Sequence, residues 1–237
     1  MIPKKIWPLS LRAIALLALA VGAVSFLTVF SQTRTKENFG PIISYDIVKD
    51  NEYVASCLAT RISADKWITA KHCFPDLSAE GYSVRVLDES IPLETVAFSP
   101  GNHDIAIFPI ADVKNGEVME LSNSEIIPGE LLTMVRPGSD AKSNSILKVE
   151  EEMPILTNGI NFQIEGVVRT STIGKGATCK GDSGGPLLDQ NNRIVAIHSA
   201  GAQSDCRSGE LDLAAYHSQV SEVKTWIDEQ IYLEEKH

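Results

Sequence analysis

Three short segments hold residues that could do nucleophilic chemistry. In chain order they are Trp67-Ile68-Thr69-Ala70-Lys71-His72-Cys73, His103-Asp104-Ile105-Ala106-Ile107 and Gly181-Asp182-Ser183-Gly184-Gly185-Pro186. Singly they differ in strength. A lone histidine is commonly structural and a lone aspartate commonly a turn residue, whereas the last hexamer is long and sets a serine among glycines. Together they describe one chemistry. A serine hydroxyl is a weak nucleophile at neutral pH and needs a neighbouring base. Histidine has a suitable pKa and can return the proton as an acid. A buried carboxylate can hold the imidazole in one tautomer. Glycines beside the serine let backbone N–H groups approach a developing oxyanion.

The elements that must position these residues read as short strands. Apolar or alternating runs recur at Tyr53–Ala59, Trp67–Ala70, Ser83–Leu87, Val96–Phe98, Ile105–Ile110, Leu131–Val135, Ile146–Val149, Phe162–Ile164 and Ile194–Ile197. Turn signals such as Pro100-Gly101-Asn102 and Pro137-Gly138 separate them. That spacing predicts an all-β sandwich or barrel. Helical periodicity is clear only at the end, where Val220, Val223, Trp226, Ile227 and Ile231 share a face and Ser218 could cap the start.

The 237 residues carry a formal charge of -10, unevenly placed. Residues 1–36 hold Lys4, Lys5, Arg12, Arg34 and Lys36 and no acid, which leaves 16 basic against 31 acidic residues, or -15, for the rest. So acidic a body argues against nucleic-acid binding. Ala13–Phe30 is free of charge and follows a basic flank. Its length lies between a cleaved signal peptide and a membrane anchor. Either one exports the rest to the periplasm or outside, secreted or held at the membrane through residues 13–30. Export makes the four cysteines, Cys57, Cys73, Cys179 and Cys206, candidates for two disulfides of three possible connectivities. No CxxC pair supplies zinc spacing, and neither metal nor cofactor is implied.

The three segments resemble those of the chymotrypsin-like (trypsin-fold) serine peptidases of bacterial type. In that family the order is His, Asp, Ser, as here. Its TAAHC motif is similar to Thr69–Cys73, with Lys71 replacing an alanine. Its DIAL motif is similar to Asp104–Ile107, and its GDSGGP is present unchanged. The resemblance covers roughly residues 42–232 and implies two six-stranded antiparallel β-barrels with a C-terminal α-helix, here preceded by an N-terminal apolar helix. The expected organisation is a signal peptide or anchor over 1–30, a linker over 31–41, a first barrel over 42–120, a second over 121–216 and a helix over 217–232. It implies that Ser183 is the nucleophile, His72 the base and acid, and Asp104 the orienting carboxylate. Gly181 and Ser183 N–H would form the oxyanion hole, and Ser199 would hydrogen-bond Asp104. It also implies the disulfides Cys57–Cys73 and Cys179–Cys206, and protein or peptide substrates.

Two departures matter. Animal members pair a new N-terminal amine with the Asp before the catalytic Ser, after cleavage ahead of an Ile-Val-Gly-Gly-like start that is absent here. Arg136 is the candidate replacement partner for Asp182, as in some bacterial relatives, and the pair would make the enzyme active without such cleavage. Ala177 stands where trypsin-type enzymes place an aspartate, so Lys or Arg at P1 is not expected. His198, with Thr178, is similar to the arrangement in bacterial glutamyl endopeptidases and would suit Glu at P1. Ala177, Gly201 and Ala214 would instead build a small apolar pocket. A histidine-dependent pocket predicts that cleavage after Glu changes between about pH 5 and 8.

Readings from other classes also exist. A peptidase fold can serve as a catalytically silent binding module, although all three triad positions are intact. Gly181-x-Ser183-x-Gly185 also fits the nucleophile elbow of an α/β-hydrolase esterase, with Asp205 and His217 following in the required order. That fold needs a strand–turn–helix context and leaves the His72 and Asp104 segments without a role.

Overall fold

The computed structural model describes residues 40–74, 81–86, 89–110, 116–138, 144–157, 163–173, 176–201 and 214–232. The expected signal or anchor segment and Cys206 lie outside them. Among the described residues no helix is long and apolar enough to cross a membrane.

As the strand spacing predicts, the described residues are all-β with one C-terminal α-helix. The first sheet contains β1 (Ile42–Lys49), β2 (Glu52–Arg61), β3 (Lys66–Thr69), β4 (Tyr82–Val86), β5 (Glu89–Ile91), β6 (Ala97–Phe98) and β7 (Ala106–Pro109). Their order is β5-β4-β1-β2-β3-β7-β6. Here the structure departs in detail from six closed strands: there are seven, and no ladder joins β5 to β6 among the described residues. Those two edge strands have three and two residues, too short to close a barrel by pairing. β1 and β2 form a hairpin about Asp50 and Asn51, both at positive φ, where short polar side chains tolerate the left-handed region.

The second sheet is a closed barrel of β8 (Leu131–Met134), β9 (Ser145–Thr157), β10 (Gln163–Thr172), β11 (Pro186–Leu188), β12 (Ile194–Gly201) and β13 (Ala214–Gln219). Leu132, Met134, Leu147, Val149, Val168, Leu187 and Val195 fill it. The long β9–β10 pair carries a register shift at Arg169/Thr170.

Ser218 is not a helix cap. It lies in β13, and the helical segment starts later, with a 3-10 turn at Ser221–Val223 followed by α1 (Lys224–Tyr232). Val220, Val223 and Ile227 are buried in one cluster with first-sheet residues such as Ile43, Tyr45 and Trp67. Leu188, Ile194 and Ile197 of the barrel join the same cluster. The two sheets therefore share a core, which fixes the segments between them.

Candidate active site

His72 sits in a 3-10 turn, Lys71–Cys73, directly after β3. The Cys57–Cys73 disulfide ties the end of that turn to β2. Asp104 stands just before β7, the strand paired with β3, so the ladder brings the two residues together. One carboxylate makes two bonds to His72. The His72 backbone N–H donates to Oδ1 at 2.8 Å, and Nδ1 lies 2.7 Å from Oδ2. Asp104 is 4% exposed, and its own N–H donates to Ser218 Oγ at 3.2 Å. Burial pushes its carboxyl up, but the His72 hydrogen bonds and charge outweigh that and hold it below its ordinary range. Ser199 Oγ is also buried beside this carboxylate and makes a further, smaller contribution to the same lowering.

Ser183 lies on a glycine-rich turn ahead of β11. The N–H groups of Asp182, Gly184 and Gly185 donate to Cys179, His198 and Asp182 carbonyls at 3.0, 2.8 and 2.9 Å. Among the described residues, those of Gly181 and Ser183 make no hydrogen bond. Leu58 N–H donates to the Ser183 carbonyl at 2.7 Å, which ties the turn to β2. Gly184 has φ +83°, and a Cβ there would strike the Leu58 carbonyl and Thr69 Oγ1. Only glycine permits that approach. Ser183 Oγ makes no hydrogen bond to His72 among the described residues.

Arg136, just after β8, meets Asp182. Nε donates to Oδ1 at 2.8 Å and Nη2 to Oδ2 at 2.6 Å. Nη1 also donates to Ser145 Oγ and Nη2 to the Ala177 carbonyl, each at 3.1 Å. Cys179 N–H donates to Asp182 Oδ2 at 2.8 Å. Cys179 is disulfide-bonded, while its expected partner Cys206 lies outside the described residues.

Of the expected P1 residues, the structure gathers Thr178, His198 and Gly201. A Cβ on Gly201 would lie 2.6 Å from Thr178 Oγ1 and 3.7 Å from His198 Cε1. Ser199 turns instead towards Asp104, the Ala177 carbonyl faces Arg136, and Ala214 pairs with Ser171 on β10. His198 is 2% exposed and faces His217, with Nδ1 to Nδ1 at 3.2 Å. His217 Nε2 in turn lies 2.8 Å from Thr170 Oγ1. Burial pushes His198 down to about 4, against the pull of the Asp182 carboxylate. Burial and the neighbouring His198 charge push His217 well down too. In the free protein both rings are neutral near pH 7, so the expected titration between pH 5 and 8 moves lower. A separate cavity of about 490 Å³, lined by His103, Ile155, Glu152, Glu165 and Glu222, includes none of these residues.

Comparison with known proteins gives the family. The trypsin family model matches residues 32–227. The chain belongs to the trypsin family. It is a serine endopeptidase, a hydrolase. It is 27% identical to brachyurin of Leptuca pugilator over 184 residues, 66% of this chain and 80% of that protein. Among solved structures it resembles the active form of the Rv3671c protease from M. tuberculosis, at TM-score 0.57, 16% identity and 81% coverage of both chains. It also resembles the HtrA-type protease AlgW with tripeptide, at TM-score 0.55 and 18% identity, covering 80% of this chain and 60% of that one. Neuropsin, a serine protease expressed in the limbic system of mouse brain, matches at TM-score 0.52 and 18% identity, covering 79% and 93%. At such identities these structures share the fold alone.

The trypsin-family fold removes the esterase reading. A strand, β11, follows Ser183 where a nucleophile elbow needs a helix, and His217 is sealed inside the barrel. Asp205 lies outside the described residues. Sequence reasoning missed the roles of His217, Thr170, Ser145 and Ser218 in bonding the site residues. His217 is the cross-strand partner of His198. A register for the β12–β13 pair would have found it, but the residues between those strands carry no pattern that sets one.

Proposed function

We propose that this trypsin-family chain cleaves peptide bonds with Ser183 as nucleophile, His72 as base and acid, and Asp104 as the carboxylate that fixes the His72 tautomer. The observation that carries the reading is the double hold of Asp104 on the His72 backbone and ring. With its proton on Nδ1, the imidazole has Nε2 free to take the Ser183 proton. Ser183 Oγ then bonds the scissile carbonyl carbon, and the oxyanion is received by the unoccupied N–H groups of Gly181 and Ser183. The C–N bond breaks as His72 returns the proton to the leaving amine. Water repeats the sequence on the acyl-enzyme and releases the acid.

Specificity for Glu at P1 is supported by the buried Thr178 hydroxyl and neutral His198 imidazole beside Gly201, both able to donate to a carboxylate. The competing pocket is small and apolar. The Arg136–Asp182 pair supports an enzyme that needs no N-terminal cleavage. The Cys57–Cys73 disulfide suits an oxidising compartment, reached through residues 13–30 as signal or anchor. We assign 42–120 and 121–219 to the two catalytic halves and 221–232 to the closing helical segment, which starts later than 217 because β13 runs to Gln219.

The test is digestion of a diverse peptide library beside a Ser183→Ala control. Cuts that depend on Ser183, clustered after Glu or after small residues, are expected and choose between the pockets. Cuts that persist without Ser183 sink the assignment. A folded, oxidised sample that cuts nothing is either an enzyme awaiting N-terminal processing or a binding module that has kept its triad.

A further inference from the structure

We infer that Tyr45, on the first strand and far in sequence from all three motifs, is a positioning residue that keeps the Ser183 turn in register with His72 and Asp104. This rests on the peptidase reading of those three residues.

The Tyr45 side chain is buried and touches something next to each of them. Its ring stacks at 6.3 Å on Phe74, two residues after His72. It meets Phe108, four residues after Asp104, edge-on at 5.6 Å. Its hydroxyl lies 2.9 Å from Thr69 Oγ1. Thr69 Oγ1 is 2.6 Å from the Leu58 carbonyl and can only donate there. Its single proton is thereby used, so Tyr45 is the donor to Thr69. Leu58 in turn donates its N–H to the Ser183 carbonyl. The chain of bonds thus runs from Tyr45 to Thr69 to Leu58 to Ser183. The last link is braced sideways, because Gly184 lies against the Leu58 carbonyl, Thr69 Oγ1 and Ala70 N. Thr69 occupies the junction between the Ser183 turn and the segment leading into His72.

Burial and the Asp104 charge push the Tyr45 phenol up, so it remains a donor at every working pH. Without the Tyr45 hydroxyl, Thr69 Oγ1 loses its buried donor and can swing from the Leu58 carbonyl. The Ser183 turn then has slack relative to His72. In the peptidase reading His72 must take the Ser183 proton, so such slack falls on the reacting atoms. Sub-ångström misplacement of reacting groups is costly in turnover.

The experiment compares the full-length protein with Tyr45→Phe, Thr69→Val and Thr69→Ser. It measures kcat and KM on one good peptide substrate, the rate of Ser183 phosphonylation by a fluorophosphonate, and the melting temperature. Tyr45→Phe and Thr69→Val are expected to lower kcat and the phosphonylation rate together, about tenfold or more, with KM within about twofold. Thr69→Ser, which keeps the hydroxyl, is expected to restore both. Phe98→Leu, which loosens the same aromatic cluster at Phe74 without touching the chain of bonds, reports what lost packing alone does. Tyr45→Phe with wild-type kcat and phosphonylation rate, whatever its melting temperature, overturns the inference. Should Tyr45→Phe not fold, Thr69→Val decides by the same criterion. A wild-type protein that neither cleaves peptides nor reacts with the fluorophosphonate refutes the peptidase reading instead.

Discussion

Arg136 grips Asp182 through two parallel hydrogen bonds, at 2.8 and 2.6 Å, across 46 positions of sequence. The pair is mostly shielded, with side-chain exposures of 22% and 8%. The geometry is the planar fork that lysine cannot reproduce. It holds the residue next to Ser183, and the same Arg136 also bonds Ser145 and the Ala177 carbonyl. Removing one member of a shielded ion pair leaves the other charge buried, which costs about 3 kcal/mol. Arg136→Ala is expected to lose about that much stability in a urea titration and to fall well below wild type in kcat/KM. Arg136→Lys is expected to recover only part. Acetylating the mature N-terminal amine should leave activity intact, because Arg136 already occupies Asp182. A large loss on acetylation would point to an N-terminal partner.

Asp104 accepts from both the backbone and the ring of His72, so an amide in its place presents the wrong group to Nδ1. Asp104→Asn is expected to reduce kcat by roughly 10⁴, the loss general to this triad chemistry, with KM little changed. Stopped assays on one peptide substrate, with folding checked by circular dichroism, would read this directly. A loss under tenfold would mean that the carboxylate does not set the tautomer.

The two barrel histidines predict an acid-sensitive fold. Both have folded pKa values below the ordinary 6.5, with His198 at about 4. Between about pH 6.5 and 4 the unfolded chain therefore binds more protons than the folded one. Their share of stability is complete above pH 6.5 and declines as pH falls towards 4, at up to ~1.4 kcal/mol per unit for each ring. Asp104 has the opposite requirement for charge but a similar outcome. Its lowered value adds stability that persists through this window and is lost only at more acid pH. Melting temperatures from pH 7.5 to 4.5 should fall steeply in wild type. The slope should be shallower in a His198→Asn, His217→Asn double variant; an unchanged slope would place the acid sensitivity elsewhere.

Thr178 and His198 converge on Gly201. Thr178→Val keeps the shape and removes the hydroxyl. If the pair reads a P1 carboxylate, cleavage after Glu should fall about tenfold while cleavage after Ala is unchanged, since an unpaired buried carboxylate oxygen costs about 1–3 kcal/mol. Equal effects on both substrates would favour the small apolar pocket. The -15 body slows encounter with acidic peptides, so both substrates should be compared at one ionic strength.

The candidate reacting groups were legible in the sequence because each motif is local. Thr69–Cys73, Asp104–Ile107 and Gly181–Pro186 each carry their chemistry within a few residues, and strand spacing and turn signals indicated the all-β class. The apolar face of Val220, Val223 and Ile227 marked the helix, while its start, just after β13, depended on Ser218 being drawn into the barrel to accept from Asp104. Tertiary structure alone decided what crosses between segments. Arg136 reaches Asp182 from just beyond β8, His198 faces His217 because the β12–β13 register pairs them, and Tyr45 leads through Thr69 and Leu58 to Ser183 across segments distant in sequence. A shift of one residue in β13 would turn His217 outward and leave every local motif unchanged. Propensity and periodicity act over near neighbours, whereas register is settled by closing the barrel and burying both sheets against one core.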